Sequence, residues 1–132
     1  MLDHVSLGVS DLGLSRSFYD AALAPIGLTR INDFEGRGSD YDIPERTLGT
    51  VFTITREDNV KPSNGLHICF RARSRDDVVR FYEAALAKGG RDDGAPGLRP
   101  VYHKNYFAAF VLDPDGHRIE AVCHDGGSTG DV

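Results

Sequence analysis

Two imidazoles stand at equivalent places in this chain. Sliding the sequence along itself by 63 positions sets FYDAALAPIG, from residue 18, over FYEAALAKGG, from residue 81, and the same ungapped shift sets His4 on His67. Apolar patterning explains the repeated FY(D/E)AALA as a helix surface that packs on a sheet, but it does not require a repeated histidine. A lone strand histidine is more often a hydrogen-bonded structural residue than a ligand; two at matching positions point to a shared chemical role. Cys69 and Arg71 follow His67 at intervals of two, on the same strand face. Cys69 is placed to line a cavity, although nothing near it in sequence would lower a thiol pKa. Arg71 would face either an anionic substrate group or solvent. The segment YHKNYF, residues 102–107, adds His103 and Tyr106, placed either to hydrogen-bond a ligand or to form a polar loop with one buried aromatic. His117 and His124 read as turn and surface residues.

Positioning these groups falls to two modules, 1–58 and 65–124, joined by EDNVKPSNG (57–65), where Pro62 and Gly65 act as breakers. Each module opens on an alternating strand. In HVSLGV, Val5, Leu7 and Val9 share one face and His4 lies on the other; in HICFRA, Ile68, Phe70 and Ala72 oppose His67, Cys69 and Arg71. Each strand leads to a helix with an N-cap signal, Asp11 in the first module and Ser74, followed by Asp77, in the second. Leu14, Phe18, Ala21 and Ala22 fall at helical spacing, as do Val78, Phe81, Ala85 and Leu86, and Gly27 and Gly90 are placed to end the two helices. Three strands are then expected per module: LTRINDF, SDYDI and GTVFTITR, then LRPVYH, NYFAAFVL and HRIEAVCH, the last two joined by a DPDG turn. The expected class is α+β, a βαβββ unit twice over. One domain over residues 1–124 and a flexible tail over 125–132 complete this reading.

Composition narrows the function. A net charge of −5, with no Lys or Arg run beside aromatics, excludes the electrostatic footprint of a nucleic-acid binder. RARSRDDVVR comes nearest, but Asp76 and Asp77 interrupt it at a helix start, where acidic residues suit the dipole. At 40% hydrophobic, without an apolar run of membrane length, the chain is expected to be soluble. The start MLDHVSLGVSDL lacks a basic n-region, so a cytoplasmic location and reduced thiols at Cys69 and Cys123 are expected.

The paired unit, with HVSLGVSDLGLSRSFYDAALAPIGL at the front and YFAAFVLDPDGHRIEAV near the end, resembles the vicinal oxygen chelate superfamily over nearly the whole chain. That superfamily includes glyoxalase I, bleomycin-resistance proteins, fosfomycin-resistance enzymes and extradiol dioxygenases. The most specific features are the histidine-bearing first strands, the S-x-x-FY helix at Ser15 to Tyr19, and the DPDG-x-x-IE hairpin ending at Glu120. The resemblance implies a curved, cup-shaped mixed sheet with helices outside, closing on a small ligand. It further implies that His4, His67 and Glu120 hold a divalent metal such as Mn(II), Fe(II), Ni(II) or Zn(II), with Glu120 also catalytic. Two imidazoles and a carboxylate leave open positions on such a metal for substrate oxygens. A lyase, isomerase or thiol-transfer reaction on a compact substrate with adjacent oxygens follows.

One position departs from the pattern. Where glyoxalases carry a fourth ligand, Thr53 stands, a poor ligand that would line the substrate site instead; Glu57, the alternative from the plain shift, lies at a polar strand end beside the linker. A glyoxalase I mechanism with paired glutamate bases is therefore disfavoured. The rival reading is a metal-free, drug-sequestering binding protein. Extradiol dioxygenases fit less well, since those that resemble this chain usually have four modules. Unpaired sheet edges, and the habit of two-module relatives, imply a homodimer.

Overall fold

The computed structural model describes residues 1–45 and 51–126. Two units of like topology follow one another: β1 (Val5–Val9), α1 (Leu12–Leu23), β2 (Thr29–Phe34), β3 (Gly38–Asp42) and β4 (Phe52–Arg56); then β5 (His67–Arg71), α2 (Arg75–Ala87), β6 (Arg91–Leu98), β7 (Phe107–Leu112) and β8 (Arg118–Cys123). Each unit forms a four-stranded mixed sheet, ordered β1-β4-β3-β2 and β5-β8-β7-β6, with its first strand parallel to its last. This is the tandem βαβββ architecture, α+β in class. Most of the expected tail, from residue 127 on, lies outside the described residues, as does the start of GTVFTITR at 49–50.

Both helices begin where the capping signals stand. The Asp11 side chain accepts the Leu14 N–H at 3.0 Å, and the Ser74 hydroxyl accepts the Asp77 N–H at 3.1 Å. Their ends differ. Gly27 has a left-handed φ of 95° and closes the turn after α1, but after α2 it is Gly89, not Gly90, that takes positive φ, at 98°. Gly90 serves close approach instead, because a Cβ there would lie 2.6 Å from the Phe18 ring.

The repeated FY motif is core. Phe18, Tyr19 and Phe81 are fully buried, and α1 packs against α2. Tyr19 meets Phe52 at 5.0 Å, and Phe52 meets Phe70 edge-on at 5.4 Å, so an aromatic chain links the two units. Polar contacts reinforce the junction at the DPDG turn. Tyr19 donates to buried Asp113 at 2.5 Å, Ser10 donates to Asp115 through its N–H and its hydroxyl, and His117 Nε2 bonds the Gly8 carbonyl at 2.7 Å. His117 is therefore a joint between the units, more than the turn residue its sequence position suggests.

One expected strand is wrongly placed. LRPVYH does not form a strand; β6 is RDDGAPGL, residues 91–98, and residues 99–103 turn, with the Tyr102 N–H bonding the Arg99 carbonyl at 3.0 Å. Gly94, Pro96 and Gly97 are residue types that weaken a strand, but β6 is an edge strand whose pairing with β7 shifts register at Asp92/Gly94 and Gly94/Gly97. An edge accommodates proline and bulges that an interior strand would reject.

Candidate functional site

The site grows from strand alternation. In β5, Phe70 is buried and Ile68 is half-buried, while His67, Cys69 and Arg71 are exposed on the opposite face. Parallel pairing with β8 sets Cys69 beside Glu120, and the β7–β8 hairpin sets Phe110 on the other flank of Glu120. Glu120 is only 1% exposed, so its carboxylate needs partners. It has two. His67 Nε2 lies 3.1 Å from Oε1, and the Tyr106 hydroxyl donates to Oε2 at 2.6 Å. An ionised carboxylate only accepts, so His67 carries its proton on Nε2. The Phe110 ring stands 6.4 Å from the imidazole and walls the pair on one side.

Electrostatics follow from the buried carboxylate. Burial, then the Glu120 hydrogen bond, raises the Tyr106 phenol well above its ordinary pKa. Burial and the Glu120 charge push the Cys69 thiol up to about 12 from an ordinary 9.0. Beside Glu120 the protonated thiol is therefore the favoured form of Cys69. Its alkylation by iodoacetamide at pH 8 is expected to run about 1,000-fold slower than that of an ordinary thiol, following the thiolate fraction. Reaction at the rate of a free cysteine would contradict this placement.

The histidine pair behaves asymmetrically. His4 and His67 line one cavity of about 460 Å³ together with Val5, Val51, Phe52 and Cys69. His4, however, is exposed and bonds Asp3 at 2.7 Å through Nδ1. Among the described residues no three His, Cys, Asp or Glu side chains come together as a metal-binding group. The 3.1 Å between His67 Nε2 and Glu120 Oε1 is a hydrogen-bond distance, and it is also close to the roughly 3.0 Å between adjacent positions on an octahedral metal with bonds of about 2.1 Å.

The remaining candidates divide. Thr53 donates to Asp40 at 2.6 Å and lines a separate cleft with Phe34, Arg37, Gly38 and Thr55. His103 stacks on His124 at 5.1 Å, and Tyr106 packs edge-on against both rings. His124, read as a surface residue, thus joins the cluster that supports Tyr106. Phe110 is a site residue that no motif marks, although counting back from the DPDG turn along the hairpin pairs it with Glu120.

Residues 1–121 match the family model described as Glyoxalase/Bleomycin resistance protein/Dioxygenase superfamily. A glyoxalase/bleomycin resistance protein from Albidiferax ferrireducens T118 is 31% identical with a TM-score of 0.79, the match covering 95% of this chain and 99% of that one. A glyoxalase-related enzyme from Fulvimarina pelagi is 20% identical, TM-score 0.71, over 93% and 87% of the two chains. The genomically encoded fosfomycin resistance protein FosX from Listeria monocytogenes is 20% identical, TM-score 0.69, over 95% and 93%. At 20% identity, the last two share the fold alone. No match was found among curated proteins.

Proposed function

Because this chain belongs to the Glyoxalase/Bleomycin resistance protein/Dioxygenase superfamily, we propose that it is a metal-dependent enzyme acting on a compact substrate with adjacent oxygen atoms. His67 and Glu120 of one chain would hold the metal, with His4 supplied by a second copy in a homodimer. The observation that carries this reading is the buried Glu120 carboxylate, held by Tyr106 on one oxygen and facing His67 on the other. A buried charge shared with a half-exposed imidazole is costly as a purely structural device.

The cross-chain arrangement draws support from the outer strands of the two sheets, β1, β2, β5 and β6, whose free edges a second copy can cover, and closed pairs of like chains are the commonest assembly.

Mn(II), Fe(II), Ni(II) or Zn(II) at this place would supply a Lewis acid for a substrate carbonyl. The chain's own residues orient and enclose. Tyr106 fixes the carboxylate plane, as partners of metal-bound carboxylates do; Phe110 walls one side; protonated Cys69 lines the face beside Glu120. No helix among the described residues is long and apolar enough to cross a membrane.

A metal-free binding protein is the second reading. The cavity carrying His4 and His67 is mostly apolar, with Leu2, Val5, Val51, Phe52, Leu66, Ile68 and Phe70 in its wall, which suits ligand capture by shape. Calorimetric titration of metal-stripped protein with Mn(II), Ni(II) and Zn(II) separates the two. The enzyme reading expects one metal per chain, with His67 binding as a neutral imidazole whose proton moves from Nε2 to Nδ1. No heat above background with any of the three would transfer the case to the metal-free reading.

A further inference from the structure

We propose that a second cavity, between the two units and beyond the far end of β5, binds a small organic carboxylate. It measures about 470 Å³ and is lined by Ile26, Gly27 and Ile43 of the first unit and by Arg71, Ala72, Arg73, His124 and Asp125 of the second. This cavity shares no lining residue with the one that carries His4 and His67, although Arg71 reaches Cys69 electrostatically and His124 packs on Tyr106, so the two are neighbours.

Charge makes the case. Arg16, Arg30, Arg56, Arg80 and Arg118 all lie within ion-pair distance of aspartates. Arg71 and Arg73, like Arg37, Arg75, Arg91 and Arg99, have no carboxylate partner among the described residues, and these two line the same cavity. Two guanidinium forks left open beside one cavity form a receptor for a planar oxyanion.

Hydrogen bonding makes His124 a donor as well. The Asn105 N–H bonds His103 Nδ1 at 3.0 Å, so the proton of neutral His103 sits on Nε2. That proton meets His124 Nδ1 at 2.9 Å, which leaves the proton of neutral His124 on Nε2. The ligand's charge follows from Asp125, which lines the same cavity. Two guanidiniums against one carboxylate leave a single net positive charge, matched by a monoanion, whereas a phosphate dianion would also be repelled by Asp125. Ile26, Ile43 and Ala72 offer an apolar wall for a short alkyl group. A carboxylate with a few carbons attached satisfies all of these groups.

The test uses the full chain passed over chelating resin, so that its outcome stands apart from metal binding. Butyrate, inorganic phosphate and chloride are titrated at constant ionic strength, with arginine side-chain and backbone NMR shifts as the readout. Wild type is expected to give a saturable butyrate response centred on Arg71, Arg73 and His124, with phosphate weaker. Arg71→Gln and Arg73→Gln should each weaken butyrate binding by about tenfold or more, as loss of a charge-assisted pair implies. Arg73→Lys should fall between, and Arg80→Gln, outside the cavity, should bind as wild type. Both cavity arginines are exposed, so the variants should keep the wild-type spectrum elsewhere. A wild-type response that fails to saturate, equal binding by the glutamine variants, or tighter binding of phosphate than of butyrate would each overturn the proposal.

Discussion

Glu120→Ala is expected to lower the affinity for Mn(II) or Zn(II) by at least about 100-fold, since loss even of an outer partner of a metal ligand typically costs 10–100-fold. The same change should leave the far-UV circular dichroism spectrum intact. Glu120 meets His67 and Tyr106, which stand at the site's edge, and the aromatic core around Tyr19, Phe52 and Phe70 is untouched. Glu120→Gln keeps the volume and an acceptor for Tyr106 but removes the charge. Its metal affinity should fall nearly as far, which would assign the effect to the carboxylate and not to packing. Full metal binding by either variant, or global unfolding of both, would make Glu120 a structural residue.

Asp113→Ala is expected to be the most destabilising single change outside the core, by about 3–5 kcal/mol in denaturant unfolding. Asp113 is 1% exposed and accepts from the Tyr19 hydroxyl and from the backbone N–H groups of Asp115 and His117. Removing it strands several donors, each worth about 1–3 kcal/mol when left buried without a partner. Tyr19→Phe removes one bond of the set, so about 1–3 kcal/mol is expected there. The pH dependence adds a check. Burial first, then the Asp113 charge and hydrogen bond, holds the Tyr19 phenol well above its ordinary 10.0. A pKa raised on folding gives stability that is complete below the unfolded value and is lost as pH climbs through the folded one. Thermal stability should therefore fall above about pH 10, less steeply in Tyr19→Phe. An Asp113→Ala chain as stable as wild type would mean that the joint contributes nothing.

The parts of this account that could be read from sequence are those with local or periodic causes. Asp11 and Ser74 cap helices three residues ahead of the amides they satisfy, and the alternation of HICFRA alone put His67, Cys69 and Arg71 on one exposed face. The repeat and the family resemblance together singled out His67 and Glu120, which the fold brings within 3.1 Å. Where the cause is non-local, sequence was silent. Tyr19 and Asp113 are 94 positions apart, and nothing near either residue announces the other. β6 was missed because its glycines and proline signal a loop, whereas its place at the sheet edge, settled by tertiary pairing, lets them stay extended. His124 was read as a surface group because its partner, His103, arrives through the turn after β6. The repeat gives His4 and His67 equivalent positions, and within one chain their surroundings differ, one beside Asp3 at the surface and the other against a buried carboxylate.

The proposal that a metal bridges two copies of this chain can be put to a direct complementation test. A His4→Ala chain keeps His67 and Glu120, and a Glu120→Ala chain keeps His4, so neither alone can complete a site. Co-expressed, they pair at random, and half of the resulting dimers are mixed, each with one unmutated set of three ligands. The account predicts recovery of about a quarter of wild-type metal sites, counted by elemental analysis of the purified dimer. No recovery from a mixture proven to contain mixed dimers, or a wild-type chain that sediments as a monomer at micromolar concentration, would contradict it.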